Sequence, residues 1–307
     1  MNRNIDQLIK KKIKNNQVFK DLSKLGLVNL KNIRLFNNRT RDKRIPVLID
    51  IKTKLIFLSE VNHTSKIIKK KIDQFEGKNF KNNITVEKYK KKKFILVTPN
   101  DDLRRYKYMK KYIKNKSVLD FGCGIGTFIK LSNKITKESH GLEINKNLLL
   151  KLKNKSKIFS NIDQINNKYD YITMFHVLEH IPNSIEVLKK LKKLLKPKGK
   201  LIIEIPHAKD ILFNINEFKN FSLWSEHLVL HTEKSVEKIL KYSGYKVINT
   251  KYIQRYNFIN HLGWFLREKP QGHIFFKNFY NEKINKKYVH YLSKNKITDT
   301  LFITARV

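Results

Sequence analysis

"VLDFGCGIGTF", residues 118–128, decides the fold. An apolar run reaches Asp120, then three alternating glycines, Gly122, Gly124 and Gly126, and then the apolar start of a helix. A strand that passes through a glycine turn into a helix sets unpaired backbone N–H groups and the positive end of a helix dipole at the carboxyl edge of a sheet. Glycines there remove the side chains that would hold a ligand away from the backbone. The spacing is G-x-G-x-G, with Thr127 where a dinucleotide fingerprint has its third glycine, and no Gly-Lys-Ser/Thr follows. A hydride-transfer cofactor and a P-loop nucleotide both match poorly.

Outward from this stretch, strand-like and helix-like segments alternate, the pattern of a parallel sheet with crossover helices. "SVLDF" reads as a first strand, "SHGLEI" (139–144) as a second, "KIFS" (157–160) as a third, "YDYITMF" (169–175) as a fourth and "KLIIEI" (200–205) as a fifth. In "NSIEVLKKLKKLLK" (183–196), Ile185, Leu188, Leu191, Leu194 and Leu195 recur at helical spacing, and Pro197 and Gly199 are expected to stop the helix. Thr232 is an expected N-cap and Gly244 a C-terminal stop for the next helix, with a sixth strand after it. "TDTLFITARV" closes the chain as a last strand. Glu143 ends the second strand about 20 residues past the glycines, where a carboxylate can accept both ribose hydroxyls of an adenosine.

"VLDFGCGIG", "GLEIN", "YDYITMFHVLEHIPN" and "LLKPKGKLIIEIP" resemble, in order, the four landmark motifs of class I S-adenosylmethionine-dependent methyltransferases. The resemblance spans about residues 100–255. It implies an α/β, Rossmann-like sheet of seven strands, the last antiparallel and inserted between strands five and six. It also implies that Asp120, Gly122 and Gly124 face the methionine portion of S-adenosylmethionine, that Gly126 completes the loop, and that Glu143 holds the ribose. Ile144, Asn161 and Ile162 border the adenine on the same reading, and Phe175 and His176 lie by the sulfonium. Cys123, the single cysteine, is then a small residue within the loop.

A hydroxyl or amine acceptor also needs a base. The carboxyl ends of strands favour His176 and His207, with His180 of "FHVLEH" as a third candidate for which, as for Glu179, a structural role at the start of the next helix is the stronger reading. His227 and His231, spaced i, i+4, have the spacing of a metal pair on a helix, but no Glu lies between them in the manner of a zinc motif, and no metal is expected. "QRYNFINHLGWFLREKPQGH" (254–273) mixes ring faces with hydrogen-bonding groups. Arg255, Tyr256, His261 and Trp264 suit a sugar or nucleotide pocket and equally suit core packing. This tail is similar to that of bacterial methyltransferases of surface-carbohydrate or secondary metabolism. "NDDLRRYKYMKKYI" (100–113) reads as a helix in which Arg104 or Arg105 reaches the cofactor carboxylate or pairs with Asp101 or Asp102.

The chain has 307 residues and a formal net charge of +40, from 66 Lys and Arg against 26 Asp and Glu. Such charge suggests nucleic acid or an anionic membrane surface. The lysines are spread throughout, including "KIIKKK" (66–71) and "KYKKKKF" (88–94), in the manner of AT-rich codon choice, and they read as solvated faces. No Asn/Asp-Pro-Pro-Tyr/Phe motif or Pro-Cys nucleophile for base methylation is present. With one cysteine, no apolar run of membrane length and no secretory signal, a cytoplasmic protein is expected. The expected organisation is an N-terminal extension, 1–99, holding a hairpin within 44–60, and a methyltransferase domain, 100–307, with a substrate-side insertion at about 255–296. The expected activity is O-methylation of a small-molecule or carbohydrate-linked acceptor. RNA methylation and cofactor binding without turnover are the alternatives.

Overall fold

The computed structural model describes residues 7–61, 84–89, 92–97, 100–145, 148–149 and 157–307, with 84–97 described as backbone only. The lysine run at 66–71 lies outside the described residues, and of 88–94 only the strand path is described.

The first strands are β1 (Ile33–Asn37), β2 (Val47–Asp50) and β3 (Ile56–Leu58), followed by β4 (Ile84–Tyr89) and β5 (Lys92–Val97), which pair with each other. Then come β6 (Ser117–Phe121), β7 (Glu138–Leu142), β8 (Ile158–Phe159), β9 (Tyr169–Phe175) and β10 (Leu195–Pro206). The last are β11 (Val229–Leu230), β12 (Lys246–Ile253) and β13 (Thr300–Arg306).

The large sheet has the order β12-β13-β10-β9-β6-β7-β8. Strands β6 to β10 run parallel, while β13 inserts antiparallel between β10 and β12. This is the topology implied by the resemblance. Every residue of β6 is buried, as expected for a parallel strand covered by helices on both faces.

The helix Ser184–Lys193 buries Leu188 and Leu191 and ends three residues earlier than its apolar spacing suggests. β10 already begins at Leu195, and Pro197 and Gly199 sit in its irregular start, where the register against β9 shifts between Leu195 and Lys200. Pro197 has no N–H for a ladder, so the strand bulges there instead of starting after it. Thr232 caps the helix Glu233–Tyr242 in a reciprocal box with Ser235.

The expected hairpin is β2–β3, extended by β1 into a meander. Its fourth strand is β11, paired antiparallel to β3, so the sheet of the N-terminal extension is completed by residues from the connection between β10 and β12 of the large sheet. Asn16 caps the helix Gln17–Lys24 with its side-chain oxygen and donates its amide to the Leu58 carbonyl at 2.9 Å. Phe19, Leu48 and Phe57 belong to the same buried cluster as Leu119 and Ile203 of the large sheet. The insertion after β12 is helical, with helices Phe258–Arg267, Gly272–Phe275 and Glu282–Lys294.

Candidate active site

The glycine loop follows β6. Gly122, Gly124 and Gly126 have φ of 78°, 56° and 73°, a region that side chains disfavour. A Cβ on Gly122 would strike Val177, whereas one on Gly124 would meet nothing within 4 Å. Gly122 is therefore fixed by packing, and Gly124 leaves open space beside the backbone. The Gly124 N–H donates to Glu143 Oε2 at 2.9 Å, and the Asn145 N–H donates to Oε1 at 2.8 Å. Each Glu143 oxygen retains a further lone-pair direction for a ribose hydroxyl.

Beyond Glu143, Ile144 is 67% exposed, an apolar face at the loop's rim. Asn161 is exposed and Ile162 half-buried; they lie just past Phe159, whose carbonyl accepts the Glu143 N–H at 2.9 Å. Asp120 is buried beneath the loop and accepts the Thr173 hydroxyl at 2.6 Å. Burial raises its carboxyl to about 7. Burial also pushes the Cys123 thiol up, which suits a packing residue and opposes a reactive thiol. Phe175 stacks edge-on against Phe128 at 5.0 Å. The structure thus gathers Asp120, the three glycines, Glu143, Ile144, Asn161 and Ile162 along one carboxyl edge, with open space at the centre of the loop that suits an adenosine-bearing cofactor.

A buried charge cluster stands at the ends of β9 and β10. Glu204 is fully buried and receives both Arg104, at 2.9 Å, and Arg105, at 2.6 Å. Those arginines also pair with Asp101 and Asp102, and Arg105 lies over the Phe175 ring at 4.6 Å. Both arginines are committed to protein carboxylates. His176 has φ of 56°, places Nδ1 3.2 Å from Glu179 Oε1 and Nε2 3.4 Å from Glu204 Oε1, and meets Arg255 Nη1 at 3.3 Å. Burial alone would lower its pKa, but the two carboxylates outweigh burial and raise it. Both ring nitrogens of His176 are held by protein groups, Nδ1 by Glu179 and Nε2 by Glu204 and Arg255, an arrangement that suits positioning as well as proton transfer.

Arg255 links this cluster to a cavity of about 260 Å³. His207, Tyr256, His261 and Trp264 line the cavity with Arg255, which unites most of the expected acceptor residues. His207 is buried, donates Nδ1–H to the Thr298 carbonyl at 3.1 Å and is lowered by burial to about 4. Its Nε2 keeps a lone pair but is a weak base. His261 has both nitrogens engaged, with Tyr288 at 2.8 Å and Gln254 at 2.9 Å, so it braces the wall. Trp264 packs on Phe218 and Phe221, each at 5.1 Å, and meets the cavity as well, so packing and lining are both its work.

Two lining residues carried no local sequence signal. Arg41, from the N-terminal extension, sits 4.1 Å from the Phe221 ring centre and 4.5 Å from that of Trp224. Asp210 is buried, accepts the Leu212 N–H at 2.9 Å, and is raised to about 8 by burial and then by Asp299. His180 lies outside the lining. Its Nδ1 donates to the Glu226 carbonyl at 2.9 Å and its ring meets His227 at 4.9 Å. The i, i+4 pair does not form: β11 lies between His227 and His231, and His231 is buried with Nδ1 3.2 Å from Ser235 Oγ.

The family described as "Methyltransferase domain" matches residues 66–250. An uncharacterized protein of Methanocaldococcus jannaschii is 29% identical over 187 residues, 60% of this chain and 76% of that protein. A demethylmenaquinone methyltransferase of Bacillus licheniformis is 30% identical over 102 residues, 29% of this chain and 44% of that protein. Among solved structures, a SAM-dependent methyltransferase from Archaeoglobus fulgidus is 19% identical over 67% of this chain and 93% of that chain, with a TM-score of 0.48. With the family match, the strand order and the glycine loop in agreement, the chain belongs to the class I S-adenosylmethionine-dependent methyltransferases.

Proposed function

We propose that the chain methylates a hydroxyl of a small, ring-bearing acceptor, a sugar or other carbohydrate-linked group, held in the cavity beside β10. The observation that supports this reading is the composition of the wall: Phe221, Trp224 and Tyr256 supply ring faces, while Asp210, Asn260 and Arg255 supply hydrogen bonds. The volume lies near the lower end of the roughly 300–1,000 Å³ of small-molecule pockets and suits one ring.

S-adenosylmethionine brings a methyl group already activated on a sulfonium. What remains for the protein is alignment, which can lower a barrier by roughly 7–11 kcal/mol, and removal of the acceptor's proton. Asp210 is suited to the second task, because a base works best with a pKa near the operating pH. On methylation the acceptor O–H proton passes to the Asp210 carboxylate. His207, neutral with Nε2 as acceptor, receives a neighbouring hydroxyl of the acceptor and so orients its ring. Arg255, held by Asp101 at 3.1 Å and Asp299 at 3.5 Å, keeps the cavity in register with His176 and the end of β9.

The test is transfer of isotopically labelled methyl from S-adenosylmethionine into fractionated extract. Label in sugars and small metabolites is the expected result. Label confined to RNA would assign the +40 charge to the substrate and overturn the reading.

A further inference from the structure

Glu179, His180 and His227 place one ligating atom each within 4.8 Å of one another. We propose that they form a binding site for a single divalent transition-metal ion of the zinc, cobalt and manganese class, at the edge of the acceptor cavity.

Three observations converge on the site. First, Glu179 is 1% exposed, and its Oε2 has no hydrogen-bond partner among the described residues, although Oε1 serves His176. A buried carboxylate oxygen left unpaired is costly, and a cation is what relieves it. Second, the tautomer of His180 is set by its neighbour: the Glu226 carbonyl can only accept, so Nδ1 carries the proton. Nε2 is left facing Glu179 Oε1 at 3.9 Å, a spacing that an ion ligated by both can occupy. The bond from the other ring nitrogen to a backbone carbonyl is also the arrangement that orients metal-binding histidines.

Third, the backbone holds the three residues together. The Leu228 N–H donates to the Glu179 carbonyl at 2.8 Å, so the segment bearing His227 is tied to the turn Leu178–His180 by bonds in both directions. Two imidazoles and a carboxylate select zinc, cobalt or manganese over magnesium or calcium, which prefer oxygen. Ligands about 2.0–2.1 Å from zinc stand about 3.3 Å apart in a tetrahedron, so a small rotation of the two half-buried imidazoles closes the site. Three protein ligands leave a coordination position open, and His227 is also part of the cavity wall. The sequence neighbour His231 is not the partner of His227, whose ring meets that of His180 at 4.9 Å.

Cobalt(II) is the probe, added to the full chain stripped by chelator, with binding read by equilibrium dialysis and by the visible d–d absorption of a low-coordinate site. One equivalent is expected, with affinity lowered at least tenfold in His227→Ala and in His180→Asn, while thermal unfolding of the unloaded variants keeps its cooperative transition. Less than stoichiometric binding, or cobalt binding that survives both substitutions, overturns the assignment. The readout is the metal itself, so methyl transfer to an unexpected acceptor would refute the carbohydrate acceptor without bearing on metal binding.

Discussion

The backbone N–H of His176 donates to the Glu204 carbonyl at 2.7 Å, while its imidazole Nε2 lies 3.4 Å from the same residue's carboxylate. One buried residue of β10 therefore holds both the left-handed backbone of His176 and its imidazole. Glu204→Gln leaves His176, Arg104 and Arg105 without their shared counter-charge. The expected loss is about 3–5 kcal/mol of folding stability, read by urea denaturation. A loss under 1 kcal/mol would show that the cations find other partners.

Glu143 supports the loop through Gly124 and, on the ribose assignment, the cofactor too. Glu143→Ala should weaken S-adenosylmethionine binding by about 1.5–3 kcal/mol in calorimetry. Unchanged affinity would remove the ribose role.

Asp210→Asn keeps the shape of the side chain and removes the proton acceptor. Turnover should fall by roughly 10²–10⁴-fold with cofactor affinity retained. In the wild type kcat/KM should rise with pH toward about 8, as Asp210 ionises, and the variant should lose that limb. A pH-independent wild type would place the base elsewhere.

His207 and His261 are buried neutral and lowered by burial to about 4 from an ordinary 6.5. Between those values the unfolded chain binds the protons and the folded chain does not, so stability rises with pH there and is lost as pH falls from about 6.5 to 4. Each contributes about 3 kcal/mol over the full window. Asp120 and Asp210, raised by burial, pull in the opposite sense, so the useful comparison is His207→Gln against wild type. The variant's stability should depend less steeply on pH across that window. Parallel curves would mean that His207 is charged in the folded chain.

Much of this was legible wherever a local pattern carries the physics. β6 and β9 fall where their apolar runs do, and Thr232 caps where a hydroxyl precedes an amphipathic run. Glu143 follows from strand and spacing. The helix after Asn183 is shorter than its apolar spacing because Leu194 and Leu195 continue that spacing while serving a helix cap and a strand. Asp210 and Arg41 were invisible, since burial under Asp299 and stacking on Phe221 are made by residues distant in sequence. The i, i+4 spacing of His227 and His231 carries no helix, since β11 extends between them because β3 supplies a strand partner that no window around residue 229 contains.

The β3–β11 pairing also bears on how the polypeptide leaves the ribosome. Asp42 accepts bonds from Ser225, 183 residues later, and β3 has an open edge until β11 is made. At about 5–20 residues per second the meander waits on the order of ten seconds or more with that edge unpaired. An edge so exposed invites strand addition from other nascent chains. Arg41 reaches its aromatic partners only when this late closure occurs, so the last wall of the acceptor cavity and the protection of that edge arrive in a single assembly event.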